Sequence, residues 1–433
     1  MSTFKGPLSP GRISSGRIPD GTHWDCTLPF FRDPYHFIGG ECALQRSEVF
    51  TSRLLLQPTI FMTGPRAAEV FSDPELFQRS GAAPEPLQAT LFGKGGVQGL
   101  DGAQHRHRKA MFMRVLSAEG VASLADLAST QWQRSTAEWA QRRQIDLYRA
   151  SQTWLARSAF GWAGIPLRDE HETALRTRHI ALLFDQAVSP WQHLRVRWAR
   201  WRCEAWLAAL VRDARLGRIA LRPGSAAEAV SAYRGPDGKP LEPRIAAVEL
   251  LNLVRPIVAV SVYVAFAGHA LHAYPSMRAL LGDRGPRRDR FRDAFVQEVR
   301  RHYPFFPAVA ARVRKDFTWD GVAFPQGQRA ILDLYGTNHD VRCWDEPWEF
   351  RPERFLHAHY GPYAFVPQGG GDPARHHRCP GEQAAMSLLA LAVDGLTQQL
   401  DYCLPAQDSR LDFGRAPGVP RSGMVLAGLR ARG

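Results

Sequence analysis

Cysteine is scarce in this chain, and its six occurrences lie far apart: Cys26, Cys42, Cys203, Cys343, Cys379 and Cys403. The sequence contains no Cys-x-x-Cys pair, which excludes the spacing typical of zinc ribbons and dithiol redox sites. A chain of 433 residues can build a core without disulfides. We therefore expect reduced thiols and a cytoplasmic protein.

An uninterrupted apolar run of membrane-spanning length is also missing. The most apolar segment, residues 245–274, is broken by Arg255-Pro256, and an unpaired arginine at that depth would be costly in lipid. This pattern predicts a buried central helix, kinked or locally opened at Pro256 because proline has no N–H to donate. We expect no membrane span.

The sequence has no internal repeat and no Gly/Ser linker that would divide it into domains. Its first twenty residues are rich in Ser, Pro, Gly and Arg and lack the apolar core of a signal peptide. We predict a flexible tail over residues 1–27 and one domain over residues 28–433. The oligomeric state is left open.

Acidic residues are outnumbered, with 42 Asp and Glu against 55 Lys and Arg, a net charge of +13. Much of the excess lies in residues 194–218, where arginines alternate with apolar residues at helical spacing (Arg195, Arg197, Arg200, Arg202, Arg212, Arg215 and Arg218 with Trp198, Trp201, Trp206 and Leu210). The simplest interpretation is an amphipathic helix with a solvated arginine face. The alternative is a helix that binds an anionic membrane or nucleic acid, and nothing else in the chain indicates nucleic acid.

Helical periodicity dominates after a short region of strand and turn signals around residues 54–65. It predicts long helices at residues 105–116, 121–142, 147–161, 171–184, 194–216, 244–273 and 382–400. The expected fold class is therefore mainly α with small β-sheets.

One cysteine stands in a distinctive context. Cys379, in His377-Arg378-Cys379-Pro380-Gly381, follows a Gly-rich loop and precedes an apolar helix. Helix N–H groups favour a thiolate at this position, and we expect cationic His377 and Arg378 to lower the pKa of Cys379 further. Gly381 would let the backbone approach a flat ligand closely.

Two further motifs precede this cysteine in the chain. Glu298 and Arg301 lie three residues apart, on one face of a predicted helix, and a Pro-Glu-Arg-Phe run ends at Phe355. In this order, the three motifs resemble those of the cytochrome P450 superfamily, and the similarity extends over most of the chain from about Leu28. The resemblance implies the cytochrome P450 fold, with haem b bound through Cys379 as the axial iron ligand.

The same resemblance implies roles for several charged residues. Glu298, Arg301 and Arg354 would form a buried structural ion network. His105, Lys109 and Arg312 match positions that meet the haem propionates in the family, and His377 and Gly381 would border the cofactor.

The chain also departs from the ordinary P450 pattern. Phe365 lies fourteen residues before Cys379, where seven is usual, so the cysteine loop is longer. The acidic residue and threonine that relay protons to dioxygen have no counterpart in residues 254–259, where Arg255-Pro256 stands instead. Without such an acid–base group, hydrogen peroxide is the more economical oxidant.

These departures resemble the fatty-acid peroxygenase branch of the P450s, closest to the α-hydroxylating type. Arg255 would clamp the substrate carboxylate, which would itself serve as the acid–base group because arginine stays protonated. Gln98 matches the position that is Gln in hydroxylating members and His in a decarboxylating one. Arg255, Pro256 and Gln98 are thus the candidate catalytic residues.

The implied function is peroxide-dependent hydroxylation of long-chain fatty acids at the α or β carbon, with α preferred and no redox partner required. Candidates for the acyl channel are Leu91, Phe92, Phe184 and Phe306, each equally compatible with a plain core position. The alternatives are a decarboxylase that forms terminal alkenes, a conventional monooxygenase with redox partners, and a non-enzymatic haem-thiolate sensor.

Overall fold

The computed structural model describes residues 19–184 and 190–432, and over these ranges the fold is mainly α-helical with small sheets, as predicted. The helices are α1 (Thr27–Arg32), α2 (Phe37–Gln45), α3 (Pro65–Ser72), α4 (Glu85–Leu87), α5 (Gly102–Val115), α6 (Ala118–Ala140), α7 (Leu147–Ala163), α8 (Glu170–Leu182), α9 (Pro190–Arg215), α10 (Ala226–Ala232), α11 (Pro243–Ala273), α12 (Pro275–Gly282), α13 (Pro286–His302), α14 (Leu334–Thr337), α15 (Arg354–His357) and α16 (Glu382–Asp394). Single π-helical turns occupy Gln88–Phe92 and Gly395–Gln399, and a 3-10 turn occupies Val97–Gly99.

The strands are β1 (Asp20–Asp25), β2 (Val49–Leu54), β3 (Gln57–Met62), β4 (Phe77–Gln78), β5 (Gln144–Asp146), β6 (Ala308–Val313), β7 (Phe317–Trp319), β8 (Val322–Phe324), β9 (Arg329–Asp333), β10 (Leu400–Cys403) and β11 (Val425–Ala431). The largest sheet has the order β1-β2-β3-β9-β6-β4, and two smaller sheets have the orders β10-β11-β5 and β7-β8. β3 pairs in parallel with β9, and β9 pairs antiparallel with β6. The large sheet therefore joins β3 of the N-terminal region to β9, in which Arg329 is the partner of Thr59.

The predicted flexible tail is wrong over residues 20–27. Residues 20–25 form β1, which pairs in parallel with β2, and the Thr22 N–H and hydroxyl donate to the buried Glu41 carboxylate. Residues 1–18 lie outside the described residues. The composition of this segment did not reveal a strand that forms through pairing with a distant partner.

α11 is the central helix, and it packs against α7, α9, α13 and α16. By length and composition it could cross a membrane, but 94% of its most apolar window of 18 residues is buried inside the fold. The prediction of a buried central helix is thus confirmed. The helix runs without a break through Pro256. The prediction of a kink at this residue stays a prediction.

The predicted long helices appear with shifts of a few residues at their ends. The exception is the last one, whose α-helical part ends at Asp394. A π turn over Gly395–Gln399 follows, and β10 begins at Leu400. α9 differs in another respect, because its expected apolar residues Trp198 and Trp201 are exposed while Arg200 is buried. The buried charge of Arg200 is compensated by an ion pair with Glu204 at 2.7 Å.

Candidate active site

The cysteine loop is held from two sides. The Cys379 N–H donates to the Gln368 carbonyl at 3.0 Å. Arg300, from α13, donates to the Gln368 side chain at 3.1 Å and to the Glu382 carboxylate in the first turn of α16. Arg378 also donates to Glu382, at 2.7 Å. Both ends of the loop are thereby tied to one buried guanidinium.

Burial raises the pKa of the Cys379 thiol, and the Gly381 N–H together with nearby Lys109 and Arg300 only partly opposes this effect. A thiol in this environment becomes a thiolate when a metal ion binds the sulfur. A Cβ at Gly381 would lie 3.8 Å from the sulfur, so Gly381 borders it directly.

The expected cause of thiolate formation is wrong in one respect. His377 does not act as a cation, because burial lowers its pKa to about 3 despite a hydrogen bond with Asp101. Arg378 is paired with Glu382, and the cations that lower the pKa of Cys379 are Lys109 and Arg300. Sequence neighbours were a poor guide here because burial outweighed adjacency.

A group of basic side chains collects beside the cysteine loop. The rings of His105 and His377 stack with centroids 4.0 Å apart. The buried Lys109 donates from Nζ to the Arg378 carbonyl at 2.7 Å. Arg79, which the motifs did not identify, lies against these groups, and its charge contributes to lowering the pKa of both histidines.

Arg312 does not join this group. Its guanidinium donates to the carbonyls of Gly81 and Gly327, at 2.7 and 2.8 Å, and lines a surface groove of about 430 Å³. Arg79 is a near neighbour of Arg312, because β4 pairs with β6 so that Gln78, the residue before Arg79, is opposite Arg312. Arg79 is therefore a better candidate than Arg312 for a charged contact at this site.

These residues fit an iron porphyrin with two propionates. Cys379 is a free thiol two residues before Gly381, the N-cap of α16, and it offers sulfur to the iron. Lys109, Arg79 and His105 offer N–H donors to the carboxylates. The donor set thus suits this cofactor.

Arg255 lies in the middle of α11 and is 7% exposed. Within residues 19–184 and 190–432, no group accepts a hydrogen bond from its guanidinium, and its Nε is fully buried without a partner. Burial lowers the pKa of Arg255 to about 9, Arg200 contributes to the lowering, and the charge of Cys379 opposes it. Arg255 is therefore still a cation at neutral pH, and it lies within electrostatic range of Cys379.

Gln98 is connected to the same stretch of α11. Its Oε1 accepts from Asn252 Nδ2 at 3.0 Å, and Asn252 precedes Arg255 by one helical turn. The Oδ1 of Asn252 is buried without a partner among the described residues. Pro256 adds a further gap, because it cannot donate to the Asn252 carbonyl. Two unsatisfied side chains thus lie one turn apart.

The candidate channel residues lie in different parts of the fold, with Phe184 in the main hydrophobic core, Leu91 packed against that core and Phe306 against the cluster beside the large sheet. Leu91 and Phe92 lie in the first π turn, where Arg200 donates to their carbonyls at 3.1 and 3.3 Å. Phe306 is partly exposed, and Phe184 is 8% exposed and part of the main hydrophobic core. For Phe184, a core role accounts for its position.

The structure also brings Glu298, Arg301 and Arg354 together. Arg301 donates to both Glu298 oxygens, at 2.8 and 2.7 Å, and Arg354 donates to Glu298 at 3.3 Å. Arg301 also donates to the carbonyls of Asn338, Pro347 and Glu349. This network fastens α13 to the segment after α14.

Comparison with protein families gives a match of residues 290–419 to the cytochrome P450 model. Curated relatives align over short segments only. The chain is 31% identical to cytochrome P450 71A8 of Mentha piperita over 131 residues, which are 29% of this chain and 25% of that protein. The match therefore spans about a quarter of the length of this relative.

Solved structures agree over nearly the whole chain. A variant of cytochrome P450SP alpha (CYP152B1) is 44% identical, with a TM-score of 0.91, and the alignment covers 94% of this chain and 100% of that one. Cytochrome P450EX alpha (CYP152N1), solved with myristic acid, is 40% identical, with a TM-score of 0.91 over 96% and 99% of the two chains. A variant of cytochrome P450 OleT in complex with arachidonic acid is 30% identical, with a TM-score of 0.91 over 96% and 99%.

The chain belongs to the cytochrome P450 family, which confirms the resemblance seen in its motifs and implies a cysteine-ligated haem. Two of the similar P450 structures, P450EX alpha and the OleT variant, were solved with a fatty acid.

Proposed function

We propose that this protein binds haem b through Cys379 and uses hydrogen peroxide to hydroxylate fatty acids next to the carboxylate, with α-hydroxylation preferred. The observation that carries this proposal is the unpaired guanidinium of Arg255, buried in α11. A buried cation without a partner is strongly destabilising, and its retention calls for an anionic ligand. A carboxylate is suitable because it can accept two parallel N–H bonds from one guanidinium.

Fatty acids are the substrate class because they combine such a carboxylate with an apolar chain. Leu91, Phe92 and Phe306 offer apolar surface near α11, and two related P450s were solved with myristic and arachidonic acid. With the acid end held by Arg255, the carbons nearest the carboxylate are those presented for oxidation. Gln98, held by Asn252, favours hydroxylation over decarboxylation, in line with the family resemblance.

When bound, haem supplies the transfer of an oxygen atom from peroxide to a C–H bond. The chain must provide proton transfer, and around Arg255 no described Asp, Glu or His shifts the pKa of this residue. Arg255 keeps its proton at neutral pH, and binding an anion would raise its pKa back towards the usual value. The carboxylate held by Arg255 is then the group placed to accept and return a proton. This arrangement needs no external reductase, and we expect a cytoplasmic enzyme without a redox partner.

The test is product analysis. Purified haem-loaded protein is given a panel of saturated fatty acids and hydrogen peroxide without any reductase, and products are identified by mass spectrometry. We expect 2-hydroxy acids as the main product, with 3-hydroxy acids as the minor one. If terminal alkenes were the main product, the proposed reaction would be decarboxylation and not hydroxylation. Turnover only with a reductase and NADPH would overturn peroxide dependence.

The role of Cys379 is tested separately. Cys379→Ala should remove the carbon-monoxide difference band typical of a haem thiolate. If the protein were a haem-thiolate sensor, the protein without substitutions would show this band but would form no product from any acid in the panel. The two results together separate cofactor binding from catalysis.

A further inference from the structure

One face of α9 carries large apolar side chains that the fold leaves in solvent. Trp191, Leu194, Trp198 and Trp201 are 79%, 56%, 53% and 59% exposed. Their spacing of three, four and three residues puts them on a single face of the helix. The opposite face is occupied by buried residues (Val196, Ala199, Arg200, Cys203, Glu204 and Leu207). α9 is therefore anchored in the fold and presents a tryptophan stripe, defined by these four exposed residues, outward.

The exposed charges that α9 places beside the tryptophan stripe are arginines, of which Arg197 is paired with Glu85 of α4 at 3.0 Å. Arg195 and Arg202 are exposed on the same face, and the guanidinium of Arg202 lies 5.9 Å from the Trp198 ring. The exposed positions from 191 to 205 include no acidic residue, since Glu204 is buried in its ion pair with Arg200. The exposed Arg178 of α8 precedes His179 in the chain, and the His179 ring meets Trp198 edge-on at 5.1 Å.

We propose that the tryptophan stripe of α9 binds the surface of an anionic lipid bilayer. Tryptophan rings are suited to the level of the lipid headgroups, where one edge is apolar and the other is wet. Arginines flanking such rings attract anionic headgroups, and a helix of this composition lies in the plane of the interface. The net charge of +13 acts in the same direction.

A second copy of the chain is a poorer occupant of this face. A two-fold symmetric contact would bring Arg195 and Arg202 of both copies together without a described carboxylate between them. Such like charges oppose association, whereas an anionic lipid surface neutralises them.

The stripe lies on the outer side of the helix that supports the candidate channel. On the inner side of α9, Arg200 donates to the carbonyls of Leu91 and Phe92. A lipid surface bound to the stripe would thus lie one helix diameter from the apolar channel residues. Membrane binding stands without the proposed catalytic function, and it can be measured without peroxide or fatty acid.

The experiment uses the full-length haem protein with vesicles of phosphatidylglycerol and, separately, of phosphatidylcholine. We expect co-sedimentation and a blue shift of tryptophan emission with anionic vesicles, weakening as salt is raised. Trp191→Ala/Trp201→Ala should lower the partition coefficient at least about tenfold. Arg195→Gln and Arg202→Gln should each lower it about fivefold on anionic vesicles only.

The matched control is Trp348→Ala, which removes a tryptophan that is also 53% exposed but lies outside α9. It should leave vesicle binding unchanged, and thermal melting confirms that each variant is folded. Three results would overturn the proposal: no binding to anionic vesicles, equal loss with Trp348→Ala, or a dimer in the unchanged protein that disappears in Trp191→Ala/Trp201→Ala.

Discussion

Two buried arginines on neighbouring helices show how differently the same side chain can be used. Arg301 of α13 is fully buried, and each of its three guanidinium nitrogens donates, to two carboxylate oxygens and three carbonyls. Arg255 of α11 is buried nearly as well but donates to no group among the described residues. A satisfied buried charge holds a fold together, whereas an unsatisfied one is a cost that only a ligand can offset.

The same contrast distinguishes the surroundings of the two residues. The charged groups around Arg301 are paired with one another, because Arg354 also donates to the Glu298 carboxylate. The segment around Arg255 contains unsatisfied hydrogen-bonding groups. Asn252 Oδ1 also lacks a partner among the described residues, and Pro256 has no N–H to donate. Stability should therefore depend on the first segment and ligand binding on the second.

The largest expected effect is on folding. Arg301→Ala leaves Glu298 buried with only Arg354 as a cationic partner, and we expect a loss of about 3–5 kcal/mol in the free energy of unfolding. Denaturant titration followed by circular dichroism measures it. A loss below about 1 kcal/mol would show that the network is not a structural support.

The next effect concerns Arg255. Arg255→Leu should lower kcat/KM for fatty acids about 100-fold or more, because the carboxylate loses its charged partner. The pKa of this group is lowered in the folded state to about 9, so its charge opposes folding at neutral pH. The free energy of unfolding should accordingly rise, because the substitution removes this buried charge.

The control for this change is Arg255→Lys, which keeps the charge but not the bidentate geometry of the guanidinium. Its kcat/KM should lie between the values of the unchanged protein and of Arg255→Leu. A fatty acid should raise the melting temperature of the unchanged protein and not of Arg255→Leu. If Arg255→Leu were as destabilising as Arg301→Ala, the distinction between the two arginines would be lost.

Periodicity and motif order were sufficient for the long helices, the fold class and the family. They succeed where a feature is local, such as the apolar period of α11 or the triplet spacing of Glu298 and Arg301. β1 was missed because its strand forms only by pairing with β2, and the contact of Gln98 with Asn252 joins residues 154 positions apart. Such contacts leave no trace in local composition.

Electrostatics was predicted least well, for a related reason. His377 was expected to be a cation because of its sequence neighbours, yet burial lowers its pKa to about 3. Arg79 was not considered because no motif includes it, although β4 carries it to the basic group beside Cys379. Burial and strand pairing, both tertiary properties, decide these cases.

A smaller effect on activity is expected from a substitution of Arg200. Its charge is paired with Glu204, and its guanidinium also supports the channel wall. Arg200→Met removes the donors to the Leu91 and Phe92 carbonyls, while Glu204 keeps its contact with Arg244 at 3.3 Å. KM for long-chain acids should rise about fivefold with little change in kcat, because the channel wall loosens while the carboxylate clamp stays.

The neighbouring Arg197 is the control for Arg200, since its pair with Glu85 is exposed on both sides. Arg197→Gln should change stability by less than about 0.5 kcal/mol and leave KM unaltered. An equal rise in KM in both variants would point to a general charge effect of α9 instead of support of the channel wall.

The smallest effect is a coupling between Asn252 and Gln98. If Asn252 acts by holding the Gln98 side chain, Asn252→Leu and Gln98→Leu should each lower kcat/KM and shift the ratio of 2-hydroxy to 3-hydroxy products. The double variant should then lose less than the sum, with a coupling energy of about 1 kcal/mol. Additive losses would mean that the two amides contact the ligand independently. Unchanged product ratios in all three variants would leave Arg255 as the group that determines where oxidation occurs.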